Sequence, residues 1–200
     1  TSLVREILRR VKREGEKAVR EYSKRFDSWD PPSFCVGEEE VREAESSVSE
    51  SFKENVKFLH DQLERFARAQ KDSLSDFELE MHPGVHLGQR YIPVKSVGVY
   101  VPGGRYRLVA SAQMSIVPAR VAGVERIVAC APARGKSIDP HLLCSIKVAG
   151  ADEIYALGGA QAIATMAFGA GIMKPVDMVA GPGNVYVVEA KRQLYGTVGI

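Results

Sequence analysis

The sequence predicts an α/β fold in which a helical N-terminal segment precedes a parallel sheet with helices on both of its faces. Two observations carry this prediction. Apolar residues recur at helical spacing through most of residues 2–70, and from Val97 onward short apolar runs alternate four times with apolar helical stretches. Strand–helix units of this kind are joined by right-handed crossovers, so the four strands are expected to run parallel between two layers of helices.

The first part of the chain is predicted to be helical. Residues 2–26 carry one apolar stripe that resumes after Gly15, and Ser2 is the candidate N-cap. After the Asp-Pro-Pro breaker at residues 30–32, a second stripe runs from residue 37 to about residue 70. Its candidate interruption covers residues 46–51.

Residues 76–94 change to an alternating pattern, which indicates two short strands around a His82-Pro83-Gly84 turn. His82 and His86 have the spacing of a helical metal pair, but Pro83 and Gly84 exclude a helix between them. We therefore expect surface turn histidines here.

The remaining elements follow in regular order. The predicted strands cover residues 97–101, 126–131, 153–157 and 177–180, and the helices that follow them cover residues 110–123, 140–149, 160–168 and 185–194. After the last helix, Thr-Val-Gly-Ile at residues 197–200 is typical of another strand beginning.

Composition and charge narrow the classes of function. Apolar residues make up 45% and charged residues 26%, and no apolar run is long enough to predict a membrane span. The net charge of +2 is too small to indicate nucleic-acid binding. Ten basic and six acidic side chains lie in residues 97–200, against seventeen and nineteen in residues 1–96. This asymmetry fits a phosphate-bearing small molecule better than a polyanion.

Cysteine usage indicates a reducing compartment. Cys35, Cys130 and Cys144 are widely spaced and odd in number, which argues against a disulfide framework and favours the cytoplasm. The densely charged first twenty residues are also unlike a secretory signal.

The most informative loop lies within residues 97–107. Pro102 ends the strand because it has no N–H for the sheet, and the Gly103-Gly104 pair lets the backbone turn sharply. Arg105 and Arg107 then place two cations where ligands bind in open α/β sheets. An anionic ligand and a surface turn with solvated arginines explain these residues equally well.

The other strands also end in distinctive loops, at residues 132–137, 158–161 and 181–184. If the sheet is parallel, all of these loops lie along one edge, where helix N-termini offer N–H groups to anions. Gln161 and Asn184 follow glycines in these loops, and either can hydrogen-bond a base or a ribose. Helix capping is the alternative, and it explains Asn184 well but Gln161 poorly.

Known phosphate motifs are missing. The sequence has no GxGxxG, so the predicted sheet is Rossmann-like without the usual fingerprint. Residues 130–137 nearly match GxxxxGK[ST], but Cys130 occupies the first glycine position, so we expect a solvated turn there. No nucleophile–base pair, paired carboxylate motif or metal-ligand spacing is evident, and the residues alone support only a nucleotide-sized ligand.

The loops belong to a set of long, ordered motifs that covers nearly the whole chain. The set comprises Val97-Gly-Val-Tyr-Val-Pro-Gly-Gly104, Val117-Pro-Ala-Arg-Val-Ala-Gly123, Ala149-Gly-Ala-Asp-Glu-Ile-Tyr155, Gly158-Gly-Ala-Gln-Ala162, Gly181-Pro-Gly-Asn184 and Glu189-Ala-Lys-Arg-Gln193. Together with Tyr22-Ser-Lys-Arg-Phe-Asp27, this set resembles the histidinol dehydrogenase family.

The resemblance implies an enzyme of histidine biosynthesis that oxidises L-histidinol to L-histidine through the aldehyde, in two NAD-dependent steps that require zinc. It implies a cytoplasmic homodimer, with no nucleic-acid or membrane partner. Tyr100, Gln161 and Asn184 match the family's NAD-contacting tyrosine, glutamine and asparagine. The family's zinc ligands and catalytic Glu-His pair correspond to positions after Ile200. We therefore expect no catalytic residue and no metal ligand in this chain, and no activity from these 200 residues alone.

The resemblance also implies a division into domains. Residues 1–96 are expected to be a helical segment with a short β-hairpin, part of a domain that residues missing from this chain complete. Residues 97–200 are expected to be the Rossmann-like NAD-binding domain, truncated at its C-terminal end.

One departure from the family concerns the substrate. Residues 105–115, which begin Arg-Tyr-Arg, replace a small uncharged segment and look more like the relatives that oxidise sulfopropanediol. Arginine suits a sulfonate, so Arg105 and Arg107 are candidate anion or substrate contacts. The alternatives to histidinol oxidation are thus a sulfopropanediol 3-dehydrogenase-like oxidation of an anionic alcohol, or a non-catalytic nucleotide-binding fragment.

Overall fold

The computed structural model describes residues 1–103 and 108–200. The helices in this part of the chain are α1 (Ser2–Glu14), α2 (Glu16–Asp27), α3 (Glu38–Ser47), α4 (Glu50–Asp72), α5 (Val109–Ala122), α6 (Pro140–Ala149), α7 (Gly159–Phe168) and α8 (Val185–Leu194). The strands are β1 (Phe77–His82), β2 (Val85–Gln89), β3 (Ser96–Tyr100), β4 (Arg126–Ala131), β5 (Glu153–Ala156) and β6 (Met178–Ala180).

The second half of the chain forms the predicted parallel sheet, with strand order β5-β4-β3-β6. The central strand β3 is buried along its whole length and pairs in parallel with both β4 and β6. Residues 197–200 continue this pattern, because Gly199 forms a parallel bridge with Met178. The predicted α/β fold is therefore confirmed.

Helices cover both faces of the sheet. On one face, α1, α2, α7 and α8 pack with Tyr100, Val128 and Cys130 into one core cluster. On the other face, α3, α5 and α6 pack against Val97 and Val99 in a second cluster. Because side chains alternate across a strand, the single apolar strand β3 contributes to both cores.

The N-terminal helix differs from the prediction in two details. Residues 2–26 form two helices, because Gly15 has a φ of +60°, a left-handed conformation that interrupts helical geometry. The N-cap of α1 is Thr1, whose hydroxyl accepts from the backbone N–H of Val4 at 3.4 Å, so Ser2 is the first helical residue. The break between α3 and α4 lies inside the predicted interruption, where Ser49 caps α4 through the N–H of Phe52.

The predicted hairpin forms, with β1 and β2 antiparallel. One face of the hairpin is apolar yet exposed, and its side chains are Phe77, Leu79, Met81, Val85 and Leu87. Nδ1 of His86 lies 3.4 Å from Oε1 of Glu78, and both His82 and His86 are exposed.

The stretch that nearly matched a phosphate motif is an exposed turn. Arg134 and Ser137 form a bridge around Gly135, whose φ is +74°, and the Ser137 hydroxyl donates to the Glu40 carboxylate. Arg134, Gly135 and Lys136 are exposed, as expected for a solvated turn. No helix in the described part of the chain has both the length and the apolar character needed to cross a membrane.

Candidate functional site

A cavity of about 480 Å³ lies at the carboxyl edge of the parallel sheet. All four predicted strand-end loops contribute to it, through Pro102, Pro132, Gln161 and Asn184 among others. Helices α1 and α2 also line the cavity, through Leu3, Ile7, Phe26 and Asp27. Much of the lining is apolar, which is typical of sites that bind small molecules and position them with a few polar groups.

Tyr100 ends the central strand and lines the cavity. Its hydroxyl accepts a hydrogen bond from the backbone N–H of Gly159 at 3.2 Å, at the start of α7. Burial raises the pKa of Tyr100 to about 12, and the nearby Asp27 acts in the same direction. The phenol therefore keeps its proton at neutral pH and can donate it to an acceptor on a ligand.

Gln161 lies in the first turn of α7 and is almost completely buried, with 1% exposure. Its Nε2 donates to Oδ2 of Asp27 at 2.9 Å, which joins α7 to the end of α2. The side chain folds over Gly159, where φ is +68° and a Cβ atom would come within 2.6 Å of Oε1 of Gln161. The positive φ therefore favours glycine at this turn, and an added Cβ atom would also press on the end of the Gln161 side chain.

Asn184 is the N-cap of α8. Its Oδ1 accepts from the backbone N–H groups of Tyr186 and Val187 at 3.0 and 3.1 Å, so the capping alternative describes part of its role. The side-chain Nδ2 remains a donor, and the residue also lines the cavity.

The loop before Asn184 is held tightly against the end of β3. Gly181 has a φ of +99°, and a Cβ atom there would lie 2.2 Å from the carbonyl oxygen of Tyr100. Nζ of Lys191 donates to the Gly181 carbonyl at 2.8 Å. Burial lowers the pKa of this lysine, which indicates an ammonium group partly withdrawn from water to hold the loop.

Sequence reasoning missed Asp27 as a site residue. It lines the cavity and is half-buried, and burial raises the pKa of its carboxyl, while the Gln161 amide works against that rise. The only signal in the sequence was its place at the end of the Tyr22–Asp27 motif. Its position next to α7 is set by tertiary packing and cannot be deduced from spacing.

The structure brings Tyr100, Gln161 and Asn184 together around one cavity. The other two candidate contacts, Arg105 and Arg107, lie outside the described residues. In the part of the chain that the structure describes, no group of three or more His, Cys, Asp or Glu side chains could hold a metal ion.

Comparisons with known proteins cover the full chain. A family model described as histidinol dehydrogenase matches residues 1–200. A histidinol dehydrogenase homolog 1 from Mesorhizobium japonicum is 50% identical over 200 residues, which are 100% of this chain and 40% of that protein. A sulfopropanediol 3-dehydrogenase from Ruegeria pomeroyi is 43% identical over 198 residues, 98% of this chain and 45% of the relative.

A histidinol dehydrogenase from Bacillus cereus is also 43% identical, over 197 residues that cover 98% of this chain and 46% of the relative. Among solved structures, the crystal structure of histidinol dehydrogenase from Elizabethkingia anophelis superposes with a TM-score of 0.93 at 30% identity. That match covers 100% of this chain and 46% of the other. The chain therefore spans less than half the length of the relatives it matches.

Proposed function

The chain belongs to the histidinol dehydrogenase family, and we propose that the cavity at the carboxyl edge of its sheet binds NAD within an alcohol dehydrogenase. One observation supports this most strongly: Tyr100, Gln161 and Asn184, which match the family's NAD-contacting residues, line the same cavity. Membership of the family implies an oxidoreductase. The whole protein's activity is the proposal.

The polar groups of the cavity fit a dinucleotide. The Tyr100 hydroxyl and the Asn184 amide offer donors to ligand oxygens, and Oε1 of Gln161 offers an acceptor. Pro102 and Pro132 add flat apolar surface of the kind that packs against a base. When bound, NAD supplies the acceptor for the hydride that leaves the alcohol carbon. The residues of this chain hold and orient the cofactor.

We propose a zinc requirement for the whole protein and not for this chain alone. Because the described residues do not form a metal site, no chemical step of this chain is assigned to zinc. Its ligands and the catalytic Glu-His pair are proposed to lie outside this chain. We propose that the 200 residues alone oxidise no alcohol.

Residues 97–200 are proposed to be the NAD-binding domain and residues 1–96 to be part of a second domain. A homodimer is also proposed, since the hairpin leaves Phe77, Leu79 and Leu87 exposed on one face and a lone hairpin is marginally stable in water. The cytoplasm is the proposed location. It is supported by Cys35, Cys130 and Cys144, which are free thiols in the structure.

L-histidinol is the proposed substrate, oxidised to L-histidine through the aldehyde in the biosynthesis of histidine. An anionic alcohol such as sulfopropanediol is the second candidate. Two relatives, one named for each substrate, are both 43% identical to this chain. Histidinol carries a positive amino group, whereas a sulfonate is negative, so Arg105 and Arg107 would favour only the second if either contacts substrate.

The test uses the full-length protein and follows NADH formation with each alcohol, with and without a zinc chelator. The proposal predicts chelator-sensitive turnover and about two NADH for each L-histidinol. NAD binding without turnover of either alcohol would instead support a nucleotide-binding module.

The variants Arg105→Ala and Arg107→Ala distinguish the two candidate substrates. Loss of a charge-assisted hydrogen bond to a sulfonate costs about 1.5–3 kcal/mol in kcat/KM. If wild type oxidises histidinol well and both variants match it, the sulfonate candidate is excluded. If wild type ignores histidinol and oxidises the sulfonate in an arginine-dependent way, the histidinol assignment is wrong.

A further inference from the structure

The position of Asp27 in the fold disfavours the negative charge of its carboxylate. Asp27 is the last residue of α2, where the helix dipole disfavours negative charge, and it is half-buried in the cavity wall. In the described part of the chain, no lysine or arginine forms an ion pair with it, and the carboxyl pKa is raised by burial. Partial burial of a carboxylate costs stability, which is typical of a group kept for a ligand.

The hydrogen-bonding capacity of Asp27 is largely unused. Two carboxylate oxygens together accept about four hydrogen bonds. Nε2 of Gln161 takes one of these positions, on Oδ2, and it also fixes the orientation of the carboxylate. A ligand that lies against Asp27 should therefore present hydroxyl donors, and two neighbouring hydroxyls match the two oxygens of a carboxylate.

The rest of the cavity indicates which part of a dinucleotide this would be. Phe26 and Leu3 extend the apolar walls formed by Pro102 and Pro132, which suits an adenine ring next to its ribose. Such a cavity suits the adenosine half of the cofactor.

We infer that Asp27 binds the 2′- and 3′-hydroxyl groups of the adenosine ribose and repels a 2′-phosphate, so that it makes the cavity selective for NAD over NADP. This inference rests on the proposed function. A carboxylate performs this discrimination in other dinucleotide-binding folds, but there it follows the glycine fingerprint by about 20 residues. Here the carboxylate comes from a helix that precedes the sheet, and Gln161 orients it.

The test measures binding to the full-length protein by calorimetry, with ADP-ribose and 2′-phospho-ADP-ribose as probes. Neither probe contains nicotinamide, so their affinities report on the adenosine half alone. Wild type should prefer ADP-ribose by at least about tenfold, the size expected when a charge-assisted hydrogen bond is lost. In Asp27→Asn, ADP-ribose should bind about tenfold more weakly and the preference should fall to about threefold or less.

Asp27→Ser is the second variant, because asparagine can retain one of the hydroxyl contacts. Asp27→Ser should also remove the preference for ADP-ribose over 2′-phospho-ADP-ribose. Asp61→Asn is the matched control, since it removes one exposed carboxylate of α4 that does not line the cavity. It should keep the wild-type ratio. Asp27→Asn and Asp27→Ser should leave the affinity for nicotinamide mononucleotide, the other half of the cofactor, unchanged.

A wild-type protein that binds both probes equally well would overturn the inference without any variant. So would an unchanged preference in Asp27→Asn and Asp27→Ser while wild type binds ADP-ribose normally, and in that case the proposed NAD site would stand. Absence of ADP-ribose and NAD binding in wild type would overturn the inference and the proposed function together.

Discussion

Replacement of Gln161 by alanine is the sharpest perturbation that the cavity allows. The side chain is 1% exposed, so its amide contributes to the stability of the fold as well as to the cavity. Its Nε2 donates to Oδ2 of Asp27 at 2.9 Å. Without this donor, the half-buried carboxylate loses the hydrogen bond that opposes the rise in its pKa caused by burial.

Two separate losses are expected. A hydrogen bond to a charged group contributes about 1.5–3 kcal/mol, so Gln161→Ala should lower the free energy of unfolding of the full-length protein by about that amount. If Oε1 of Gln161 also forms one neutral hydrogen bond with NAD, the affinity should fall by about 0.5–1.5 kcal/mol, or about two- to twelvefold. Urea denaturation measures the first loss, and calorimetric titration with NAD measures the second.

Gln113→Ala is the matched control. Gln113 is another fully buried glutamine, and its Nε2 donates to the carbonyl oxygen of Ser145 at 2.8 Å on the opposite face of the sheet. Its loss should cost comparable stability and leave NAD affinity unchanged. If Gln161→Ala retained wild-type NAD affinity, or if both variants weakened NAD equally, the assignment of Gln161 to the cofactor would be refuted.

The other predictions concern the same edge of the sheet. Asn184→Ala removes the acceptor for two N–H groups of α8 and should lower the free energy of unfolding by about 0.5–2 kcal/mol in urea denaturation. Gly181→Ala forces a Cβ atom against the carbonyl of Tyr100 at a φ of +99° and should cost more than about 1 kcal/mol in the same assay. Burial raises the pKa of Asp27 in the folded state, so the folded protein keeps this proton to higher pH than the unfolded chain. Its contribution to stability therefore falls as pH rises from about 3.9 through the raised value, and Asp27→Asn should gain stability relative to wild type between acidic and neutral pH. If the difference in free energy of unfolding between Asp27→Asn and wild type were the same at acidic and at neutral pH, the last prediction would be contradicted.

The elements that the sequence predicts best are those with a strong local signal. The helices after β4 and β6 begin and end at the predicted residues, because Pro140 and Asn184 mark their N-termini and an apolar stripe fills each of them. The sheet follows from the regular alternation of strands and helices. Strand-end loops share one edge in any such sheet, so the grouping of Tyr100, Gln161 and Asn184 could be expected from topology.

Other features depend on contacts that sequence spacing does not contain. Gly15 interrupts the first helix although the apolar stripe continues across it, because the stripe reports which face is buried and not whether the backbone is continuous. Asp27 reaches the cavity because α2 packs against α7, a contact between residues 134 positions apart. The hairpin shows another limit, since its alternation predicts two strands but does not tell that their apolar side chains are exposed.

A structure of the full-length protein with NAD bound would test the central claim most directly. We predict that the adenosine half of NAD occupies the cavity, with its ribose hydroxyls at Asp27 and polar contacts to Tyr100, Gln161 and Asn184. NAD bound at another surface, with this cavity empty at saturating cofactor, would contradict the account.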